Sequence, residues 1–135
     1  MSDSKAELAR SWLIKSHRDL LSAHELATAT VSLLDSAAYH CQQAAEKAIK
    51  GYLLFNDIRF EMTHDIVLLV NQASDVDVSF VSHLENARLL TSLAVEFRYS
   101  GEFLEPDLNE FQDAYKAARE IYDFVIGKLP EEVTV

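Results

Sequence analysis

The residues best suited to chemistry lie between Tyr39 and Leu54, in the stretch YHCQQAAEKAIKGYLL. On a helix turning by about 100° per residue, His40, Gln43, Lys47 and Lys50 fall in one line. A surface helix needs polar residues outside, but it does not need two lysines, an amide and an imidazole in register. Lysines acting as point charges, with an amide to orient, suit a phosphate-bearing ligand. The competing reading is a solvated face, with Lys47 and Lys50 paired to Glu46 or to carboxylates on neighbouring helices. Thr63-His64, Arg98-Tyr99 and Arg59 can add to the same surface if the fold brings them there. Arg59 and His64 are separated by four residues, and Arg18 and His24 by five; His17 and His24 share a helix face. For the residues of the first helix the alternative is a plain solvated face.

Positioning that line requires long helices. The chain holds only two prolines and three glycines, which suits helices and argues against a sandwich or barrel with many turns. Ser4-Lys5-Ala6-Glu7 has the form of a capping box opening a helix to about Ala29, with Leu8, Trp12, Leu20, Ala23 and Ala27 near one side. Asp35-Ser36 can cap the second helix, whose apolar side carries Ala38, Cys41, Ala45, Ala48, Ile49 and Tyr52, and Asn56-Asp57 ends it. Ala44 and Gly51 lie beside the polar line and admit a second backbone. Thr63 or Asp65 starts a short third helix through Ile66, Leu69 and Val70. Ser82 and Glu85 can box a fourth, with Leu84, Ala87, Leu90, Ala94 and Val95 inward, ending near Arg98-Tyr99 at Ser100-Gly101. Pro106 opens the last, with Asp107 and Glu110 at its positive end and Leu108, Phe111, Ala114, Tyr115, Ala118, Ile121, Tyr122 and Val125 on its apolar face. Gly127 and Pro130 end it.

The expected architecture is one all-α, up-and-down bundle of about five helices over residues 1–135, with a core of about 5–128 and a frayed acidic tail, 129–135. Short connections would place the end of the second helix, the start of the third and the end of the fourth at one pole. Lys50, Arg59, His64, Arg98 and Tyr99 would then gather there.

At 135 residues the chain is long enough to bury a real core. No apolar run reaches the roughly 20 residues of a membrane span, and the N-terminus has no apolar secretion core. Cys41 is the only cysteine, so no intrachain disulfide forms, and the expected setting is a reducing cytoplasm. The net charge of −10 argues against general, non-specific binding to DNA or RNA, so an anion site must be local. No Cys/His set has metal-ligand spacing, and neither a metal nor a cofactor is expected.

The combination CQQAAEKAIKGYLL, then THDIVLLV, then EFRYSG resembles the HEPN family (higher eukaryotes and prokaryotes nucleotide-binding) over roughly Leu8 to Val125. The resemblance implies a five-helix bundle that pairs as a homodimer. It also implies a cleft for a nucleotide or other phosphate-bearing ligand, or a minimal nucleotidyltransferase as partner. The matching positions are Gln43, Lys47 and Lys50, Thr63-His64, and Arg98-Tyr99. Two departures stand out. Ser100-Gly101 follows Arg98-Tyr99 where many relatives have proline and an acidic residue. The RNase branch of the family has arginine, four to six residues, then histidine late in the chain; here Phe103, Leu104 and Glu105 occupy the histidine positions.

The main expectation is a non-catalytic protein, homodimeric, binding a nucleotide or phosphate ligand through Gln43, Lys47, Lys50, His64, Arg98 and Tyr99 and partnering a nucleotidyltransferase. The first alternative is a metal-independent RNase of a toxin–antitoxin pair. There His64 would be the base and Arg59 or Arg98 the cation beside the phosphate. The second is a structural interaction module. For dimerisation, the Ala44–Gly51 edge suits close helix packing, and Phe97, Tyr99 and Phe103 are either interface anchors or core.

Overall fold

The computed structural model describes the backbone of residues 2–60, 62–98 and 105–135, and the side chains of 4–60, 62–93 and 105–135. Five α-helices carry the described chain: α1 (Ser2–Thr28), α2 (Leu34–Phe55), α3 (Ile66–Val76), α4 (Leu84–Arg98) and α5 (Leu108–Gly127). A 3₁₀ turn, Val78–His83, leads into α4. This is the all-α bundle expected, and no described helix is long and apolar enough to cross a membrane. Tyr99 and Phe103 lie outside the described residues, as do the side chains of Phe97 and Arg98.

The caps show why the helices stop and start where they do. Asp107 and Glu110 form a full capping box on α5: Glu110 N donates to Asp107 Oδ1 (2.8 Å) and Asp107 N to Glu110 Oε1 (3.0 Å). Asp65 caps α3 by accepting from Leu68 N at 3.2 Å. Asn56 ends α2, and Asp57 follows at φ 60°, the left-handed geometry that stops a helix. Three starts differ from the sequence reading. Helix α1 begins at Ser2, ahead of the Ser4 box. Neither Asp35 nor Ser36 caps α2; the Leu34 amide donates instead to Glu105 Oε1 (2.9 Å), from the far side of the sequence. Asp77, not Ser82, begins the fourth unit by accepting from Ser79 N on the 3₁₀ turn.

Helix α2 is the hub. It packs against α1, α3, α4 and α5, and every residue from Cys41 to Leu53 except Lys47 is buried. A helix covered on all sides is a central one, and its polar residues then need partners inside the protein. Its closest neighbour is α1, which runs antiparallel through the buried face Ala9, Leu13, Ser16, Leu20 and Ala23. The expected α1 face through Leu8 is thus turned by one residue, and Leu8 is exposed. A Cβ added to Gly51 would sit 3.1 Å from Trp12 Cβ and 3.3 Å from the Ala9 carbonyl oxygen. The small-residue edge is therefore occupied by α1 of the same chain rather than by a second copy.

The segment from Asn56 to Asp65 decides the topology. It folds back along α2 as a strap, with Ile58 and Phe60 packed on the core and Arg59 between them exposed, as extended alternation requires. Phe60 meets Trp12 edge-on at 5.9 Å. The strap delivers His64 to the level of Gln42, whose Nε2 donates to the His64 carbonyl at 3.3 Å. Helix α3 therefore starts beside the middle of α2 and runs the same way, reaching Phe80 against Tyr52 (4.6 Å) and Phe124 (4.9 Å). From there α4 runs back toward the pole where α2 begins, and Glu105 beyond it reaches Leu34. The expected gathering of Arg98 with Lys50 at one pole is corrected by this reversal. Sixteen residues of helix, about 24 Å, separate Leu34 from Lys50 along α2.

The C-terminal tail is docked rather than frayed. Val133 and Leu129 are buried, Lys128 Nζ meets Asp77 Oδ2 at 2.9 Å, and Arg10 donates to the Thr134 carbonyl. Leu108, expected inward on α5, is exposed.

Two outcomes follow from this packing. Alanine at Gly51 gains up to about 1 kcal/mol of helix propensity. It also forces Trp12 Cβ and a backbone carbonyl away, and overpacking of this kind costs about 1–3 kcal/mol. Gly51→Ala should therefore lower the melting temperature, and a higher one would contradict the close α1–α2 approach. Burial against Phe124 (ring centroids 4.4 Å) pushes the His83 imidazole below its usual value, with Glu120 opposing in part. The unfolded chain then binds this proton more readily than the native one, so stability is lost as pH falls through the unfolded value near 6.5. The loss between about pH 7.5 and about pH 5.5, read by urea unfolding, should shrink in His83→Gln.

Candidate functional site

Helix α2 presents its polar residues to α1 on one side and to the strap on the other. Each side centres on one buried carboxylate. On the α1 side it is Asp19, whose Oδ1 accepts from His40 Nδ1 at 2.7 Å and whose Oδ2 accepts from Lys47 Nζ at 2.7 Å. On the strap side it is Glu46. Its Oε2 accepts from Lys50 Nζ (3.0 Å), and its Oε1 from His64 Nδ1 (2.9 Å) and Gln42 Nε2 (3.3 Å). Gln43 Nε2 donates weakly to Gln42 Oε1 at 3.4 Å, extending the strap-side network. Ser16 Oγ closes the helix pair by donating to the Ala44 carbonyl at 2.6 Å.

The geometry assigns the two lysines different duties. Lys50 is buried, its ammonium on Glu46 and within 5.5 Å and 5.9 Å of the Phe60 and Trp12 ring centroids. A desolvated ammonium with an ion pair and two aromatic faces holds strap, α1 and α2 together. Lys47 is half-buried and ties α2 to Asp19. Both are thus paired with carboxylates, as in the competing reading from sequence. The imidazoles are different. His64 is held at Nδ1 while 63% of its side chain is exposed, so an oriented ring stands at the surface. His40 is held the same way and is 30% exposed. A nitrogen facing a carboxylate carries the proton, which leaves Nε2 of each ring for a further partner.

The sequence-derived set is therefore split. Gln43, Lys50 and His64 share the Glu46 network on the strap side, whereas Lys47 belongs to the Asp19 pair on the α1 side. Arg59 is exposed on the strap, and Arg98 ends α4, which runs toward the other pole. His17 packs on Tyr122 at 5.9 Å while His24 is exposed, so those two histidines form no joint site. Cys41 is buried, and burial pushes its thiol up to about 12, which makes it core filler rather than nucleophile. Among the described residues no cluster of His, Cys, Asp or Glu could hold a metal ion.

Asp19 and Glu46 are the residues the sequence reading passed over as organisers. For Asp19 a signal existed: it lies seven residues after Trp12 and four before Ala23, in phase with the α1 face that packs inward. A carboxylate at such a position calls for a cation opposite, and Lys47 supplies it.

This fold is that of a known family. A family model described as HEPN domain matches residues 9–131, nearly the whole chain, and the chain belongs to the HEPN family. The crystal structure of TT1696 from Thermus thermophilus is similar, with a TM-score of 0.74 and 29% identity, covering 90% of this chain and 98% of that one. The structure of ST0689, an archaeal HEPN homologue, matches with a TM-score of 0.69 and 24% identity, covering 89% of this chain and 96% of that one. The second likeness speaks for the fold. No curated protein matches the chain.

Removing one member of a buried pair leaves an uncompensated charge. Glu46→Ala strands the Lys50 ammonium and should cost about 3–5 kcal/mol in urea unfolding. Replacing both, as Glu46→Leu with Lys50→Met, should recover much of that loss, and an equal loss in the double variant would deny that Glu46 acts mainly as the partner of Lys50.

Proposed function

We propose that this HEPN protein binds a phosphate-bearing ligand, a nucleotide in the first instance, without transforming it. In this reading it works as a homodimer and as partner of a minimal nucleotidyltransferase. The observation that supports the reading best is the oriented, exposed imidazole of His64, held at Nδ1 by a buried carboxylate. A ring held this way offers a ligand a pre-set partner. The polar wall of α2 stands behind it, with Gln43 and Lys47 at its edge and Arg59 exposed nearby on the strap. Arg98, at the end of α4, belongs to the proposed surface only if a second copy supplies it, because within one chain α4 runs away from the strap.

One observation favours the RNase alternative. An imidazole backed by a carboxylate is also the arrangement of a general base. Against it, the cations named for that centre are divided between the strap and the far end of α4, and no described arginine is in contact with His64. The interaction-module alternative draws on Val76, Val78 and Val81, which leave apolar surface exposed beyond the end of α3.

Thermal unfolding with a panel of nucleotides separates these readings. A ligand at 100 times its Kd stabilises by about 2.7 kcal/mol, which should raise the melting temperature visibly. That rise should be lost or reduced in His64→Ala, with no RNA cleaved by the wild type. Cleavage of RNA by the wild type, abolished in His64→Ala, would replace binding by catalysis.

A further inference from the structure

The α1 side of the network opens on a groove that none of the proposed roles uses. It is an open hollow of about 430 Å³ lined by Arg18, Leu21, Ser22, Glu25, Leu26 and His40. Its volume falls in the range of small-ligand sites. Behind it the charges are already balanced: Asp19 is shared by Lys47 and His40, both at 2.7 Å. The Arg18 guanidinium, by contrast, has no hydrogen bond or ion pair among the described residues. An unpaired fork, a hydroxyl at Ser22 and an imidazole fixed at Nδ1 therefore converge on one hollow, between the two leucine walls.

We infer that this groove is the seat of a phosphate monoester, with Arg18 and Ser22 on the phosphoryl oxygens and, when the ring is in its imidazolium form, His40 Nε2–H as the third donor. The inference rests on the ligand class of the proposed function and places a second phosphate seat on the α1 side, apart from the strap. The chemistry is specific in each part. A guanidinium offers two parallel donors to a phosphate, and a charge-assisted contact of this kind is stronger than one between neutral groups. His40 needs no reorganisation to point its ring, because Asp19 already holds it, and Asp19 in turn is held by Lys47. Leu21 and Leu26 offer apolar walls to the carbon part of the ester. Glu25 is the one feature against an anion; it sits seven residues from Arg18 along α1 and is exposed. It predicts a direction: removing its charge strengthens the binding of an anion and weakens that of a cation.

Calorimetric titration of the full chain with inorganic phosphate, ribose 5-phosphate and 5′-AMP tests this. Wild type, Arg18→Ala, His40→Gln, Glu25→Gln and His64→Ala are compared, with unchanged melting temperature of the exposed Arg18 and Glu25 variants as the check on folding. The expected result for inorganic phosphate and ribose 5-phosphate is binding weakened about tenfold or more in Arg18→Ala, strengthened in Glu25→Gln, and unaltered in His64→Ala, while 5′-AMP, which can also reach the strap, is weakened in Arg18→Ala and in His64→Ala alike. Comparable affinity for all three probes assigns the groove to free phosphate, and tighter binding of the esters assigns it to a phosphorylated metabolite; both uphold the anion seat. Binding lost in His64→Ala but unchanged in Arg18→Ala and Glu25→Gln overturns the groove and leaves the strap site standing. Weaker binding in Glu25→Gln also overturns it. No binding of any probe overturns both readings.

Discussion

Two carboxylates are buried, Asp19 on α1 against α2 and Glu46 on α2 itself, and such charges persist only if each is answered. Asp19 is answered from α2 by His40 and Lys47, and Glu46 by Lys50, Gln42 and His64. Those answers fix more than charge. They set the register of α1 on α2, which lets Gly51 approach Ala9 and Trp12, and they pin the strap that carries Phe60 and His64. The strap in turn decides that α3 runs with α2 and that α4 returns toward the opposite pole.

The same constraint shapes function. Lysines that looked available for phosphate on an isolated helix are consumed in holding the bundle together. What remains at the surface are the two imidazoles, which the network orients, and the unpaired Arg18 beside one of them. In a molecule of net charge −10, local sites of this kind are where an anion can bind. The HEPN membership of the chain fits a binding surface built on one helix pair, and the residues that would do the binding lie along the edges of α2 rather than on its centre line.

Much of the fold was legible in the sequence because its signals are local. The Asp107–Glu110 cap, the Asp65 cap, the Asn56-Asp57 stop and the apolar period of α5 each depend on residues within one or two turns. What could not be read was non-local. The Glu105 carboxylate caps a helix seventy-one residues away. Val133, in a short acidic tail, docks because the core offers it a place. The direction of α3 depends on Ile58 and Phe60 folding the strap back, which a count of loop residues does not reveal. Of the candidate site, the α2 line was legible as a line. Its partners were not, because a buried aspartate on α1 has the same letter as an exposed one.

Helices α1 and α2 are held in register by the charge that Lys47 of α2 shares with the buried Asp19 of α1. A double-mutant cycle between Asp19 and Lys47, using Asp19→Asn and Lys47→Met and read by urea unfolding, measures it most directly. The account predicts a coupling on the order of 1–3 kcal/mol, with the double variant less damaged than the sum of the single ones. Additivity within about 0.5 kcal/mol would show that the two groups merely lie side by side, and would return Lys47 to the list of cations free to bind phosphate.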